Sequence, residues 1–132
     1  MFEQAERNRA TVIRLMKALD GCDEAAIREI VAPDAGWWVL GVGTLDLDTL
    51  IAQTKALLGI ARVAETTITG TTAEGDRVAV ESRGNFEFED GRAYRNSYHH
   101  LFELRDGRVT AVREYLDLRV TEATFGPMPT AA

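Results

Sequence analysis

The sequence predicts an α+β fold, with N-terminal helices packed on one face of an antiparallel sheet, and three observations carry that prediction. Up to about residue 60 the apolar residues recur at helical spacing. Beyond it they alternate with polar residues, which is the period of a half-buried strand. Gly75, Gly91 and Gly107 then fall sixteen residues apart, in the turn sequences "AEGD", "EDG" and "RDG", where a tight turn needs positive φ. Helices first and a meander of long strands afterwards is the order of an α+β chain.

Each element follows from local residues. Val12, Leu15, Met16 and Leu19 share one face of a first helix, which Gly21 ends. Asp23 caps a short second helix with Ile27, Ile30 and Val31 inward, stopped by Pro33. The apolar, glycine-bounded "GWWVLGVG" predicts a short strand or arm. Leu47, Leu50, Ile51, Thr54 and Leu58 form the stripe of a third helix, capped through "LDLDTL" and closed at Gly59. Four β-rich runs complete the chain: "RVAETTITGTT", "RVAVESRGNFEF", "RAYRNSYHHLFEL" and "RVTAVREYLDL".

With 132 residues, 45% of them apolar, the chain is expected to form a single domain spanning residues 1–132 around one core. A net charge of −6 argues against nucleic acid or an anionic membrane as partner, since those are bound by clustered Lys and Arg. The N-terminal stretch is charged and no run approaches the roughly 20 apolar residues of a bilayer span. The lone Cys22 suits a reducing compartment, so a cytoplasmic protein is expected.

Strand parity picks out candidate functional residues. In "AYRNSYHHLFEL", Tyr94, Asn96, Tyr98, His100 and Phe102 share a face, and the apolar Phe102 and Leu104 mark that face as inward. His100 beside a carboxylate would be a proton shuttle near neutral pH, or else a core histidine bonded to Tyr or backbone. Trp37 and Trp38 must point opposite ways, and Trp38 is taken to line the interior. Tyr115 and Asp117 alternate together toward it; alternatively Asp117 caps "LRVTEATF" or pairs with Arg95 or Arg113. His99 and His100 point apart, so no metal site is expected, and no glycine-rich phosphate loop implies a cofactor.

The element order, "APDAGWWV" after two helices, and above all "GRAYRNSYHHLFELRDGRVTAVREYLD" resemble the SnoaL-like branch of the nuclear transport factor 2-like superfamily over residues 5–126. That branch carries a G-x-x-Y-x-N-x-Y strand, a D-G-R/K-I/V turn and an R-E-Y-x-D strand in this order. The resemblance implies a curved sheet wrapped around the helices as a cone, with an apolar pocket for a small apolar molecule. Because the scaffold hosts enzymes and binding modules alike, it specifies fold better than function.

Tested residue by residue, the family's chemistries fit unequally. Where ketosteroid isomerases carry a Tyr donor and an Asp base, this chain holds Leu15 and Val39, and the isomerase's second acid falls near His100. Limonene epoxide hydrolase resembles it in the last strand, whose aspartate corresponds to Asp117. That enzyme's Arg-x-Asp, however, finds only Arg83-Gly84-Asn85 after a one-residue shift, and its water-positioning Tyr and Asn fall on Trp37 and Val39. Without the shift Arg83 and Asn85 face outward. SnoaL-type cyclases use one aspartate as base, again Asp117. The expectation is therefore a cofactor-independent acid-base enzyme of cyclase, isomerase or epoxide hydrolase type on a small apolar or polycyclic substrate. Asp117, His100 and Tyr98 would be catalytic, with Trp38, Asn96, Tyr115, Arg83 and Asn85 binding substrate. The alternative is a non-catalytic ligand-binding or assembly module, and in either case a homodimer is expected.

Overall fold

The structure, a computed structural model, describes residues 2–127. Three helices and a strand pair come first: α1 (Phe2–Asp20), α2 (Glu24–Ile30), β1 (Val31–Val39), β2 (Gly43–Leu45) and α3 (Leu47–Ile60). The meander follows as β3 (Ala61–Glu74), β4 (Arg77–Phe88), β5 (Ala93–Arg105) and β6 (Arg108–Leu116), and α4 (Leu118–Phe125) closes the described chain. The strands form one six-stranded curved, unclosed sheet in the order β2-β1-β6-β5-β4-β3, with the helices in its concavity.

Local chemistry sets most boundaries as expected. Asp23 accepts a hydrogen bond from the Ala26 N–H at the start of α2, and Asp46 does the same for Thr49 at the start of α3. Gly75, Gly91 and Gly107 take φ of +55°, +92° and +79° in the three turns. Other expectations need correction. The sheet is not wholly antiparallel, because β1 runs parallel to β6, with Trp37 beside Val112 and Val39 beside Glu114. Gly59 lies inside α3, which ends one residue later against an extended Ala61. "LRVTEATF" forms the short helix α4, an element beyond the four β-rich runs expected to complete the chain.

The core is built where the inward faces meet. Val12 and Leu15 of α1 and Ile27 of α2 are fully buried against Val78, Val80, Phe102, Val109 and Val112 of the sheet. Burying a side chain of this size stabilises by about 1.5–3 kcal/mol relative to exposure. Phe102 carries the strand face that also holds His100 and Tyr98. The helices do not fill the concavity completely, and a cavity of about 410 Å³ remains between α1, α3, α4 and the sheet. Among the described residues no helix is long and apolar enough to cross a membrane.

Candidate active site

The cavity wall is mainly aliphatic and aromatic, with Leu19, Leu50, Leu57, Phe86, Leu116 and Phe125 among its members. One group of its polar side chains comes from neighbouring strands. Ser82 on β4, Tyr98 and His100 on β5, and Glu114 on β6 all line it, and Trp37 enters from β1. Register explains the gathering: Val80 faces His100, Ser82 faces Tyr98, and His100 faces Glu114 directly across the β5–β6 ladder. Residues opposite one another share a sheet face and lie about 5 Å apart at Cβ.

Glu114 is the centre of this group. Its Oε1 accepts a hydrogen bond from the Trp37 indole Nε1–H at 2.9 Å and lies 3.0 Å from His100 Nε2. Both interactions fall on Oε1; no described residue donates to Oε2. Burial works to raise the carboxyl's pKa, but the hydrogen bond and charge of His100 together with the Trp37 hydrogen bond outweigh it. The group is held below its ordinary value. A carboxylate there must be met by a proton on Nε2, which in a neutral imidazole leaves Nδ1 as the acceptor. His100 is 6% exposed, and its buried Nδ1 has no partner among the described residues. Ser82, 3% exposed, likewise has an unpartnered Oγ.

Tyr98 stacks on His100 with ring centroids 5.8 Å apart, and Phe102 stacks on the other side of the imidazole at 5.6 Å. Burial first, then Tyr94 and Glu114, push the Tyr98 phenol well above its ordinary pKa, so it stays protonated. It donates to Tyr94 Oη at 3.2 Å, and Tyr94 in turn shares a 2.8 Å bond with Thr121. The ring lies over Gly84, where an added Cβ would come within 3.0 Å of Tyr98 Cε2.

Of the residues expected at the site, the structure brings His100 and Tyr98 together on the cavity wall and places the others elsewhere. Asp117 is the N-cap of α4: its carboxylate accepts from the Arg119 N–H at 3.0 Å, lies 3.6 Å from the Arg119 guanidinium and is 41% exposed. Asn96 is buried but structural. Its amide donates to Tyr94 Oη, Thr121 Oγ1 and the Asp117 carbonyl, and its oxygen accepts from the Ser97 and Asp117 N–H groups. Trp38 and Tyr115 meet edge to face, 5.2 Å apart, on the outer side of the sheet, and Tyr115 is 40% exposed. Arg83 and Asn85 keep the unshifted register and also lie outside.

One irregularity accounts for much of this. Register shifts between Glu103 and Leu104 of β5, where Leu104 pairs with Val109 but Glu103 pairs with Ala111. An uninterrupted alternation from the buried Val109 would turn Ala111, Arg113, Tyr115 and Asp117 inward. The bulge leaves Thr110 over and turns Val112, Glu114 and Leu116 inward instead. Glu114 therefore faces the cavity in place of Tyr115 and Asp117, and on β1 it is Trp37 rather than Trp38 that does so. Counted back from the Arg105–Arg108 turn, an uninterrupted ladder sets His100 opposite Arg113; only the one-residue shift sets it opposite Glu114, so neither parity nor cross-strand counting finds Glu114 in the sequence.

Residues 12–112 match the SnoaL-like domain family, and the chain belongs to it. No functionally curated protein matches the sequence. Among solved structures, a SnoaL-like candidate polyketide cyclase of Jannaschia sp. CCS1 is 22% identical with a TM-score of 0.82, the match covering 96% of each chain. Bal32a, from a soil-derived mobile gene cassette, is 24% identical with a TM-score of 0.82, over 92% of this chain and 98% of that one. An epoxide hydrolase of M. tuberculosis similar to limonene epoxide hydrolase is 18% identical with a TM-score of 0.77, over 93% and 92%. At these identities the likeness is one of fold.

Proposed function

We propose that the protein is a cofactor-independent acid-base enzyme acting on a small apolar or polycyclic substrate, with Glu114 as the base. The single observation that carries this reading is a carboxylate kept ionised in an apolar cavity, both supporting donors on one oxygen and the other oxygen unclaimed. Such an arrangement costs desolvation that a purely structural wall would avoid, and groups of this kind concentrate at working sites. The base takes a proton from a carbon flanked by carbonyls: the C–H bond breaks, the proton passes to Oε2, and the electron pair enters the enolate. The proton returns to the oxygen of the new carbon–carbon adduct when a ring closes. His100 and Trp37 hold the carboxylate in place throughout.

Similarity of fold to the Jannaschia protein supports a cyclase-type reaction, whereas the corresponding epoxide hydrolase set is incomplete here because Arg83 and Asn85 lie outside the cavity. Exchange into D₂O of the C–H between the carbonyls of acyclic, 2-alkylated 1,3-diketones, which stay neutral at pH 7, followed by NMR, tests the reading. Catalysed exchange that Glu114→Gln reduces by 10²-fold or more, within the range of general-base contributions, is expected. Diketone binding without exchange would leave a binding module instead. We also propose a cytoplasmic homodimer formed through the outer sheet face. The exposed Tyr115 beside Trp38 on that face supports this assembly.

A further inference from the structure

The cavity has a second polar position that the reaction above does not use. Asp20, the last residue of α1, lines the wall together with Thr66 of β3. The same two residues, with Met16, also line an adjoining groove of about 320 Å³ that continues past Thr67 and Ile68 to Lys17. Asp20 therefore stands where the apolar chamber passes into the gap between α1 and β3. It is only partly exposed. The influences on its charge are burial, the nearby Thr66 hydroxyl and backbone N–H, and repulsion from Glu65 on the same strand. None of these is a cation. Burial dominates and raises its pKa, as expected for an anion without a counter-charge.

Taken with Glu114, this gives the chamber an unusual charge pattern. Among the described residues its wall contains two carboxylates, one imidazole, and no Lys or Arg; Lys17 lines the adjoining groove. Around these lie aliphatic and aromatic side chains, and the unpartnered Ser82 Oγ and His100 Nδ1 show further polar capacity left open in the wall. A ligand carboxylate or phosphate would enter a low-dielectric space already carrying like charge. A neutral hydroxyl could hydrogen-bond to Asp20 but would leave its charge uncompensated. A protonated amine would do both, and charge-assisted hydrogen bonds are about twice as strong as neutral ones.

We infer that the cavity selects apolar molecules bearing a protonated amine, which Asp20 receives at the α1–β3 gap while the apolar body fills the chamber toward Glu114. This rests on the reading of the cavity as a site for a small apolar ligand, and it names the class of that ligand. Anionic substrates are excluded by the same field.

Three probes with one skeleton separate the possibilities: 1-adamantanemethylamine, 1-adamantanemethanol and adamantane-1-carboxylate, titrated calorimetrically into the full chain at pH 7. The amine is expected to bind at least tenfold more tightly than the alcohol, and the carboxylate more weakly than either. Asp20→Asn should reduce the amine's advantage over the alcohol to under threefold. Asp20→Ala, run beside it, should do the same, so that a folding defect in one variant does not hide the effect. Glu114→Gln should leave most of the advantage. Equal binding of the three probes would overturn charge selection while leaving the apolar-ligand reading intact; an advantage lost in Glu114→Gln but kept in both Asp20 variants would overturn the assignment to Asp20. Failure of all three probes to bind would count against the small-ligand reading itself.

Discussion

A single carboxylate shows how the site is made. Glu114 would be costly alone in an apolar wall, yet Trp37 and His100 both serve its Oε1 and keep it ionised. Its folded pKa is depressed, so it contributes stability above the ordinary glutamate value of 4.5, and that contribution is lost as pH falls through the lower folded value. Glu114→Gln is accordingly expected to cost about 1–3 kcal/mol at pH 7, the scale of a hydrogen bond to a charged group. In urea titrations the gap between variant and wild type should close in acid; a constant gap would mean that charge is not what the fold uses. Asp117 gives the contrasting case. As an N-cap it should tolerate Asn with little change, whereas Asp117→Ala should cost about 1 kcal/mol by thermal melting. Neither should slow diketone exchange, and a large loss of exchange in Asp117→Asn would restore Asp117 as the base. His100 and Tyr98 were legible from strand parity because Phe102 and Leu104 anchor that strand's inward face. Glu114 was not, because a bulge at Thr110 in its own strand reverses the count and pattern alone does not show it.

At the level of elements, what could be read depended on whether the determinants are local. The three helices announce themselves by period and caps, and the meander by its evenly spaced glycines. The parallel pairing of β1 with β6 joins residues far apart in sequence and has no local signature. Helix α4 is only eight residues long, and its docking depends on tertiary contacts: Asn96 grips its first turn, and Phe125 packs on Phe88 and Tyr94. Gly41, at φ +82° in the β1–β2 turn, gives α4 its other support, since a Cβ there would come within 2.6 Å of Leu118 Cδ1. Gly41→Ala combines unfavourable backbone strain with overpacking, and a destabilisation of about 2 kcal/mol or more is expected. A neutral result in a chemical melt would show that the turn and α4 separate more easily than their packing implies.

The whole molecule sets an open sheet around incompletely filling helices, leaving a chamber whose polar groups come from several elements. The family was legible because its strand and turn motifs lie contiguously in residues 91–118, but the reaction was not, since the same scaffold carries many. The outer face predicts that light scattering at micromolar concentration gives about twice the 14.6 kDa of one chain. A mass of one chain would assign Trp38 and Tyr115 to the monomer surface. The central claim concerns the inner face, namely that Glu114 is a supported anion rather than a buried acid. Titration of its side-chain carboxyl by ¹³C NMR tests this most directly: the midpoint should lie below 4.5 and move upward in Trp37→Phe and His100→Phe. A midpoint above 4.5 in the wild-type protein would mean that desolvation outweighs both donors, and would contradict the account.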